Sequence, residues 1–123
     1  MILLTDELRK RLLANGRERN ANHVPVVKLF NPLDEGTWLA TELSADGVTM
    51  FGLAGLGYPE QGSFSLFEMT SVRLPIGMGI ERDILFTTDL PISVWAEAAR
   101  RAGSLRDAER ILYHAAQSGR DGA

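Results

Sequence analysis

The most charged stretch of any predicted strand is Glu81-Arg82-Asp83. Because the side chains of a strand alternate between its two faces, Glu81 and Asp83 are expected on one face. Paired carboxylates can hold a divalent cation or perform general acid–base chemistry, and Glu42 on a neighbouring predicted strand could join them. The same residues are typical of an edge strand whose charges prevent aggregation, with Arg82 in an ion pair. We favour this second interpretation, because no wider motif surrounds the carboxylates.

Five basic residues lie in or just after the first predicted helix, namely Arg9, Lys10, Arg11, Arg17 and Arg19. They could contact phosphates or an acidic partner, or they could form the solvated face of a short helix. No aromatic residue lies among them, so a stacking platform for single-stranded nucleic acid is missing. The net charge of the chain is -3, whereas binders of duplex DNA usually carry a clear basic excess. We therefore favour the solvated face.

A glycine-rich stretch, Gly52 to Gly57, lacks the lysine and the serine or threonine of a phosphate-binding loop. We predict no phosphate site there. Tyr58, which follows directly, is instead a candidate for contact with a protein partner.

The remaining residue types give no support for a metal, a cofactor or a catalytic nucleophile. The chain has no cysteine, and its two histidines, His23 and His114, are far apart in sequence. No histidine lies near Ser63 or Ser65, so a serine nucleophile has no sequence support. We therefore assign no catalytic residue, no metal ligand and no cofactor.

Apolar spacing and turn residues predict the elements that carry these candidates. A short helix begins at Thr5 or Asp6 and stops at Asn15-Gly16. The predicted strands are Val24–Phe30, Thr37–Leu43, Val48–Leu53, a short Ser63-Phe64 and Ile80–Phe86, with a glycine-rich loop over Ala54–Gly62. Ser65-x-x-Glu68 predicts a short helix, and two further helices follow Pro91 and Ser104.

The strand Thr37–Leu43 alternates regularly. Trp38, Ala40 and Glu42 are expected on one face, and Thr37, Leu39, Thr41 and Leu43 on the other. Asp46-Gly47 is typical of a two-residue type I′ turn, so this strand should pair antiparallel with Val48–Leu53.

The elements together predict an α+β fold. An antiparallel meander of about four strands is expected between a short N-terminal helix and two C-terminal helices, in a single domain over residues 1–123. No apolar run is long enough for a membrane span, and the charged N-terminus is unlike a signal peptide. We expect a cytoplasmic protein that does not bind membranes.

Several motifs occur together in a recognisable order: Trp38-x-Ala40-Thr41-Glu42, Phe51-Gly52-Leu53, Gly62-x-Phe64-Ser65-Leu66-x-Glu68 and Ile80-Glu81-Arg82-Asp83. With Leu3-Leu4-Thr5 before them, the chain resembles a family of small bacterial proteins known only as a domain of unknown function. Members of that family are typical of plasmids, integrative conjugative elements and phage-derived islands. The resemblance covers about residues 3–90, and the helices over about 91–118 are expected to be an extension.

The resemblance implies a setting rather than a chemistry, since proteins of mobile elements often serve transfer, maintenance or counter-defence. We expect a non-enzymatic binding protein, specifically an inhibitor of a CRISPR or restriction complex that acts through protein contacts. The expected contact residues are Glu42, Tyr58, Glu81, Arg82 and Asp83.

Two alternative functions and the oligomeric state remain open from the sequence. A nucleic-acid-binding accessory protein of plasmid or element maintenance would use the five basic residues of the N-terminal region. A metal-dependent hydrolase would use Glu42, Glu81 and Asp83. The chain could also be a monomer or a homodimer, since the apolar stripes Leu8/Leu12 and Ile111/Leu112 could pair between copies.

Overall fold

A computed structural model describes residues 2–55 and 59–121 of the chain, with side chains described as far as residue 115. The helices are α1 (Asp6–Gly16), α2 (Leu66–Ser71), α3 (Ile92–Ala102) and α4 (Leu105–Asp121), with a 3₁₀ turn at Pro75–Gly77. The strands are β1 (Val27–Phe30), β2 (Thr37–Leu43), β3 (Thr49–Gly55), β4 (Pro59–Ser65) and β5 (Glu81–Arg82).

The strands form one antiparallel sheet in the order β4-β3-β2-β1-β5. Strands β1 to β4 follow each other as a meander, and β5 returns to pair with β1 through Leu29↔Arg82 and Phe30↔Glu81. The predicted α+β fold and its terminal helices are confirmed. The sheet has five strands where about four were expected.

Both faces of the sheet are covered, so the strand β2 is buried along its whole length. One apolar cluster contains Trp38 and Ala40 of β2 together with Leu12 of α1. The other contains Leu39 of β2 together with Trp95 of α3 and residues of α4. Because consecutive residues of a strand face opposite ways, the two clusters lie on opposite faces of the sheet.

The predicted alternation along β2 is wrong at its end. The register with β3 shifts between Ala40 and Glu42, which is a β-bulge that inserts one extra residue. Leu43 therefore packs in the same cluster as Trp38 and Ala40, not with Leu39. The alternation read from the sequence counts residues in twos, and this count does not show where a bulge adds one residue.

The predicted glycine-rich loop over Ala54–Gly62 is also wrong. β3 continues to Gly55 and β4 begins at Pro59, so most of the segment belongs to a hairpin. Gly52 serves close packing rather than loop conformation: a Cβ atom there would lie 1.8 Å from the carbonyl oxygen of Leu39.

The turn between β2 and β3 differs in type from the prediction. A type I′ turn needs positive φ at both central residues, yet Gly47 (φ +74°) has this conformation and Asp46 does not. Ser44 N–H instead donates to the Thr49 carbonyl at 2.8 Å, and the Asp46 carboxylate accepts from the N–H groups of Val48 and Thr49. The predicted hairpin is confirmed, but a longer loop closes it.

The predicted strand Ile80–Phe86 is reduced to two residues because Asp83 turns the chain. Its carboxylate accepts the N–H of Leu85 at 3.0 Å, and its carbonyl accepts the N–H of Phe86 at 3.2 Å. Residues 83–90 therefore leave the sheet and run toward α3 and α4. Within the described ranges, no helix is both long and apolar enough to cross a membrane.

Candidate functional site

Glu42 is not the open contact residue that the sequence predicts. The residue is 6% exposed, and its carboxylate lies 3.6 Å from the guanidinium of Arg19. Its backbone neighbour Thr41 accepts a hydrogen bond from the side chain of Asn15 in α1 at 3.0 Å. Glu42 therefore belongs to the junction between β2 and the end of α1, which stabilises the fold.

Arg82 and Glu81 hold the edge of the sheet. The Arg82 guanidinium donates to the carbonyl oxygens of Ile2 and Leu3 at 2.9 and 2.8 Å, which fixes the N-terminal segment against β5. Glu81 is half-buried and lies opposite Phe30 of β1. Tyr58 lies outside the residues that the structure describes.

The three predicted carboxylates do not form a metal site. Glu42 pairs with Arg19, and Asp83 pairs with Lys28. No group of three or more histidine, cysteine, aspartate and glutamate side chains among the described residues could hold a metal ion.

The basic N-terminal cluster is divided by the fold. Arg9 donates to the carbonyl of Gly47 at 3.4 Å, and Arg19 is paired with Glu42. Lys10, Arg11 and Arg17 are exposed. Two of the five cations are thus committed to contacts within the chain, which weakens the patch as a phosphate-binding surface.

Asp83 belongs to an ion-pair group that the sequence did not reveal. The Lys28 ammonium lies 2.6 Å from a carboxylate oxygen of Glu109 and 3.4 Å from one of Asp83. The side chain of Lys28 is only 16% exposed, so this group is partly shielded from water. It joins β1, the end of β5 and α4 at a single point.

Residues 83–90 form a wall beside this group, and hydrogen bonds fix it in place. The Thr88 hydroxyl accepts the N–H of Leu90 at 3.1 Å and the indole N–H of Trp95 at 3.2 Å. The rings of Phe86 and Trp95 pack with centroids 5.9 Å apart. The wall is therefore anchored to α3 through Trp95.

A cleft of about 700 Å³ lies between this wall and α4, and we call it the α4 cleft. Arg106, Glu109, Arg110 and Tyr113 line it from α4, and their positions i, i+3, i+4 and i+7 place them on one face of that helix. A smaller recess of about 120 Å³ beside Lys28 shares Trp95, Arg106 and Glu109 with it. The Lys28 group thus borders both spaces.

The two walls of the α4 cleft carry large exposed apolar side chains. Leu85 is 84% exposed and Tyr113 is 63% exposed, and both line the cleft. Exposed aromatic and aliphatic side chains beside a concave surface are typical of binding sites.

Two guanidinium groups lie one helical turn apart on the same face, at Arg106 and Arg110. Arg106 lies 4.0 Å from the carboxylate of Glu35, and Arg110 lies 3.4 Å from that of Asp107. Both pairs are exposed, so they hold the arginines only weakly and leave them able to bind another carboxylate.

Sequence reasoning missed Lys28, Trp95 and the α4 side of the cleft. One signal was present: Arg106, Glu109, Arg110 and Tyr113 recur with helical spacing beside the apolar stripe of Leu105, Ala108 and Leu112. That spacing predicts a second face of α4. It does not predict that residues 83–90 lie opposite, because a loop path has no periodicity.

Fold and surface together define a small α+β protein with an open cleft between a fixed loop and its C-terminal helix. Residues 3–106 match the family described as "Protein of unknown function (DUF2958)", and the chain belongs to that family. The match includes α3 and reaches the start of α4, so it runs further than the expected end at Leu90. No curated protein and no solved structure matches the chain.

Proposed function

We propose that this protein is a non-enzymatic binding protein whose α4 cleft receives a segment of a protein partner. The observation that carries this proposal is the composition of the cleft. Its walls present the exposed side chains of Leu85 and Tyr113, while Asp83 and Glu109, which also line it, are both paired with Lys28. A site of this kind gains free energy by burying apolar surface rather than by activating a reacting group.

The partner segment should carry an apolar anchor followed by a carboxylate. The anchor would pack between Leu85 and Tyr113, where aliphatic and aromatic surface is available on both sides. A nearby aspartate or glutamate would bind Arg106 or Arg110, whose present partners are exposed and weakly held.

The setting implied by the family resemblance makes a host defence complex, such as a CRISPR or restriction complex, our preferred source of this segment. In that case the protein would act in the cytoplasm as a counter-defence inhibitor. The nucleic-acid alternative would use Lys10, Arg11 and Arg17, which remain exposed. The hydrolase alternative has lost its proposed ligand set, because Glu42 and Asp83 are each paired with a cation.

Leu85→Asp tests the proposal, with Ile76→Asp as its matched control. Both residues are strongly exposed, at 84% and 87%, so neither change removes core packing. Ile76 lies in the 3₁₀ turn and does not line the cleft, and aspartate adopts its left-handed backbone (φ 57°) more easily than isoleucine does. The wild type and both variants would be immobilised for capture from a bacterial lysate, with and without nuclease.

We expect the wild type to capture a protein that stays bound after nuclease treatment and at moderate salt. Ile76→Asp should capture the same amount of this protein, and Leu85→Asp should capture at least about tenfold less. Equal retention by Leu85→Asp and the wild type would contradict the α4 cleft as the binding site. Capture that disappears with nuclease or falls steeply with salt would instead support the nucleic-acid alternative.

A further inference from the structure

The strand β4 forms one edge of the sheet and differs from a protected edge. It is as long as the interior strands β2 and β3, at seven residues each. Natural edge strands are usually short or carry lysines, other charges and prolines, whereas β4 has no lysine, a single charge at Glu60 and a proline only at its first residue, Pro59. In the described part of the chain, β4 pairs with β3 on one side and with no strand on the other, because it is the terminal strand of the sheet.

The register shows which backbone groups of β4 point to the open edge. Opposite residues in an antiparallel pair alternate between exchanging hydrogen bonds and not exchanging them. Leu66 N–H donates to the Val48 carbonyl at 2.8 Å, and this pair continues the register of β3 and β4. Counting in twos from Leu66, the residues bonded to β3 are Phe64, Gly62 and Glu60.

The residues between them therefore point their N–H and C=O groups outward. Gln61 and Ser63 present both groups to the open edge, and Pro59 presents a carbonyl alone. A proline costs no ladder bond at such an outward position. Ser65 presents its N–H, while its carbonyl accepts the first bond of α2, of which Ser65 is the N-cap.

From this pattern we infer that β4 pairs antiparallel with β4 of a second copy of the chain, around a two-fold axis at Gly62. In this register Gln61 lies opposite Ser63 of the other copy, and both present outward groups, so they exchange hydrogen bonds in both directions. Pro59 lies opposite Ser65 of the other copy. Pro59 has no N–H to donate, and the Ser65 carbonyl that would accept it already accepts the first bond of α2, so neither group is left unpaired. Each copy contributes its five strands to one continuous sheet.

The side chains also fit this self-pairing. Glu60 lies opposite Phe64, so the single charges of the two strands do not face each other. Gly62 faces Gly62, at the position where two antiparallel backbones approach most closely. A Cβ atom on Gly62 would meet nothing within 4 Å among the described residues, so a larger side chain on this face of the strand fits the single copy.

This inference is independent of the proposed function, because β4 lies at the opposite edge of the sheet from β5, after which the wall of the α4 cleft begins. The inferred dimer also differs from one that the sequence suggested, in which the Leu8/Leu12 stripes of two copies would pair. Leu12 of the predicted Leu8/Leu12 stripe is fully buried against the sheet within a single copy.

Gly62→Lys tests the inference, with Gly62→Ala as its matched control. Lysine fits the open space of the single copy, but in the paired strands it places like charges directly opposite each other. We expect sedimentation velocity to show a concentration-dependent monomer–dimer equilibrium for the wild type and Gly62→Ala. For Gly62→Lys we expect association at least about tenfold weaker. Mixing Gly62→Lys with Gly62→Glu should restore a dimer.

Amide hydrogen exchange on the wild type provides a second measurement that needs no variant. The amides of Gln61 and Ser63 should become protected as the protein concentration rises, while that of Gly62 is protected throughout. A wild type that stays monomeric up to about 1 mM, or a Gly62→Lys variant that associates as the wild type does, would overturn the inference. Leu85→Asp should leave the dimer intact, so failure here and failure of the α4 cleft are distinguishable.

Discussion

Lys28 is the residue whose charge holds together two carboxylates that line the α4 cleft, those of Asp83 and Glu109. Without it, the carboxylates of Glu109 and Asp83 would remain close, half-buried and without a cation. Leaving a shielded charge unpaired costs more than an exposed ion pair contributes. The free energy of unfolding should therefore depend on Lys28 far more than on any surface pair.

We expect Lys28→Met to lower the free energy of unfolding by about 1–3 kcal/mol in urea denaturation. The matched control is Arg101→Met. It removes the ion pair in which the exposed Arg101 guanidinium lies 2.9 Å from the carboxylate of Glu97. That variant should stay within about 0.5 kcal/mol of the wild type. Equal losses for the two variants would show that the Lys28 group is no stronger than a surface pair.

Asp46 should make the hairpin between β2 and β3 sensitive to acid. Hydrogen bonds from the backbone of Thr49, then that of Val48 and the hydroxyl of Thr49, lower the pKa of its carboxyl below the ordinary value of 3.8. When a carboxyl group has a lower pKa in the folded than in the unfolded state, its full contribution to stability is present at pH values above the unfolded-state pKa. This contribution is lost as the pH falls through the folded pKa.

We expect the difference in urea midpoint between the wild type and Asp46→Asn to be constant above about pH 5 and to shrink below about pH 4. Asparagine retains a side-chain oxygen that can accept the same N–H groups but does not titrate there. A difference that grows as the pH falls would contradict the assigned role of the carboxylate.

At the scale of elements, close approach between strands sets the strictest requirement on the sequence. Gly52 and Gly62 lie opposite each other in β3 and β4, yet their surroundings differ. A Cβ at Gly52 would reach the backbone of Leu39, which cannot move without shifting β2, whereas a Cβ at Gly62 meets nothing within 4 Å. The same substitution should therefore have opposite effects at the two positions.

We expect Gly52→Ala to destabilise the fold by about 3 kcal/mol or more, because the clash is with backbone. Gly62→Ala should be neutral or stabilising by up to about 1 kcal/mol, because alanine restricts the unfolded chain. Thermal unfolding of the two variants under the same conditions provides the comparison. Similar melting temperatures would mean that β2 and β3 are not as closely packed as described.

The elements also show where sequence reasoning succeeds and where it stops. The hairpin at Asp46-Gly47 follows from local chemistry and was predicted. The helix N-cap, which the sequence left open between Thr5 and Asp6, is Thr5, whose hydroxyl accepts from Leu8 N–H at 3.2 Å. The bulge near Thr41 was not predicted, because the sequence assigns faces by counting in twos and does not show where a bulge adds one residue to that count. Glycines in β3 and β4 predicted a loop, because close packing and loop conformation favour the same residue.

The candidate site was predictable only in part for a related reason. Asp83 was identified by its charge, but Lys28, which pairs with it, lies 55 residues before it, and Glu109, which pairs with the same lysine, lies 26 residues after it. Such pairings depend on the path of residues 83–90 across the sheet edge. No local pattern in the sequence encodes that path.

At the scale of the whole molecule, the sheet separates two apolar clusters and two surfaces. α1 covers one face, while α3 and α4 cover the other. The C-terminal helices are thus part of the core, which agrees with a family match that extends to residue 106. The open edge at β4 and the α4 cleft near β5 lie at opposite edges, so a paired sheet would present two clefts to one partner assembly.

The most direct measurement places a photoreactive benzophenone amino acid at Tyr113 and, as the control, at Phe67. Both are aromatic and exposed, at 63% and 69%, but Phe67 lies in α2 and does not line the cleft. After irradiation in bacterial cells and nuclease treatment, we predict one discrete crosslinked protein from the Tyr113 position and none at that mass from Phe67. Crosslinks from Phe67 alone, or crosslinks from Tyr113 to nucleic acid, would contradict a protein-binding α4 cleft.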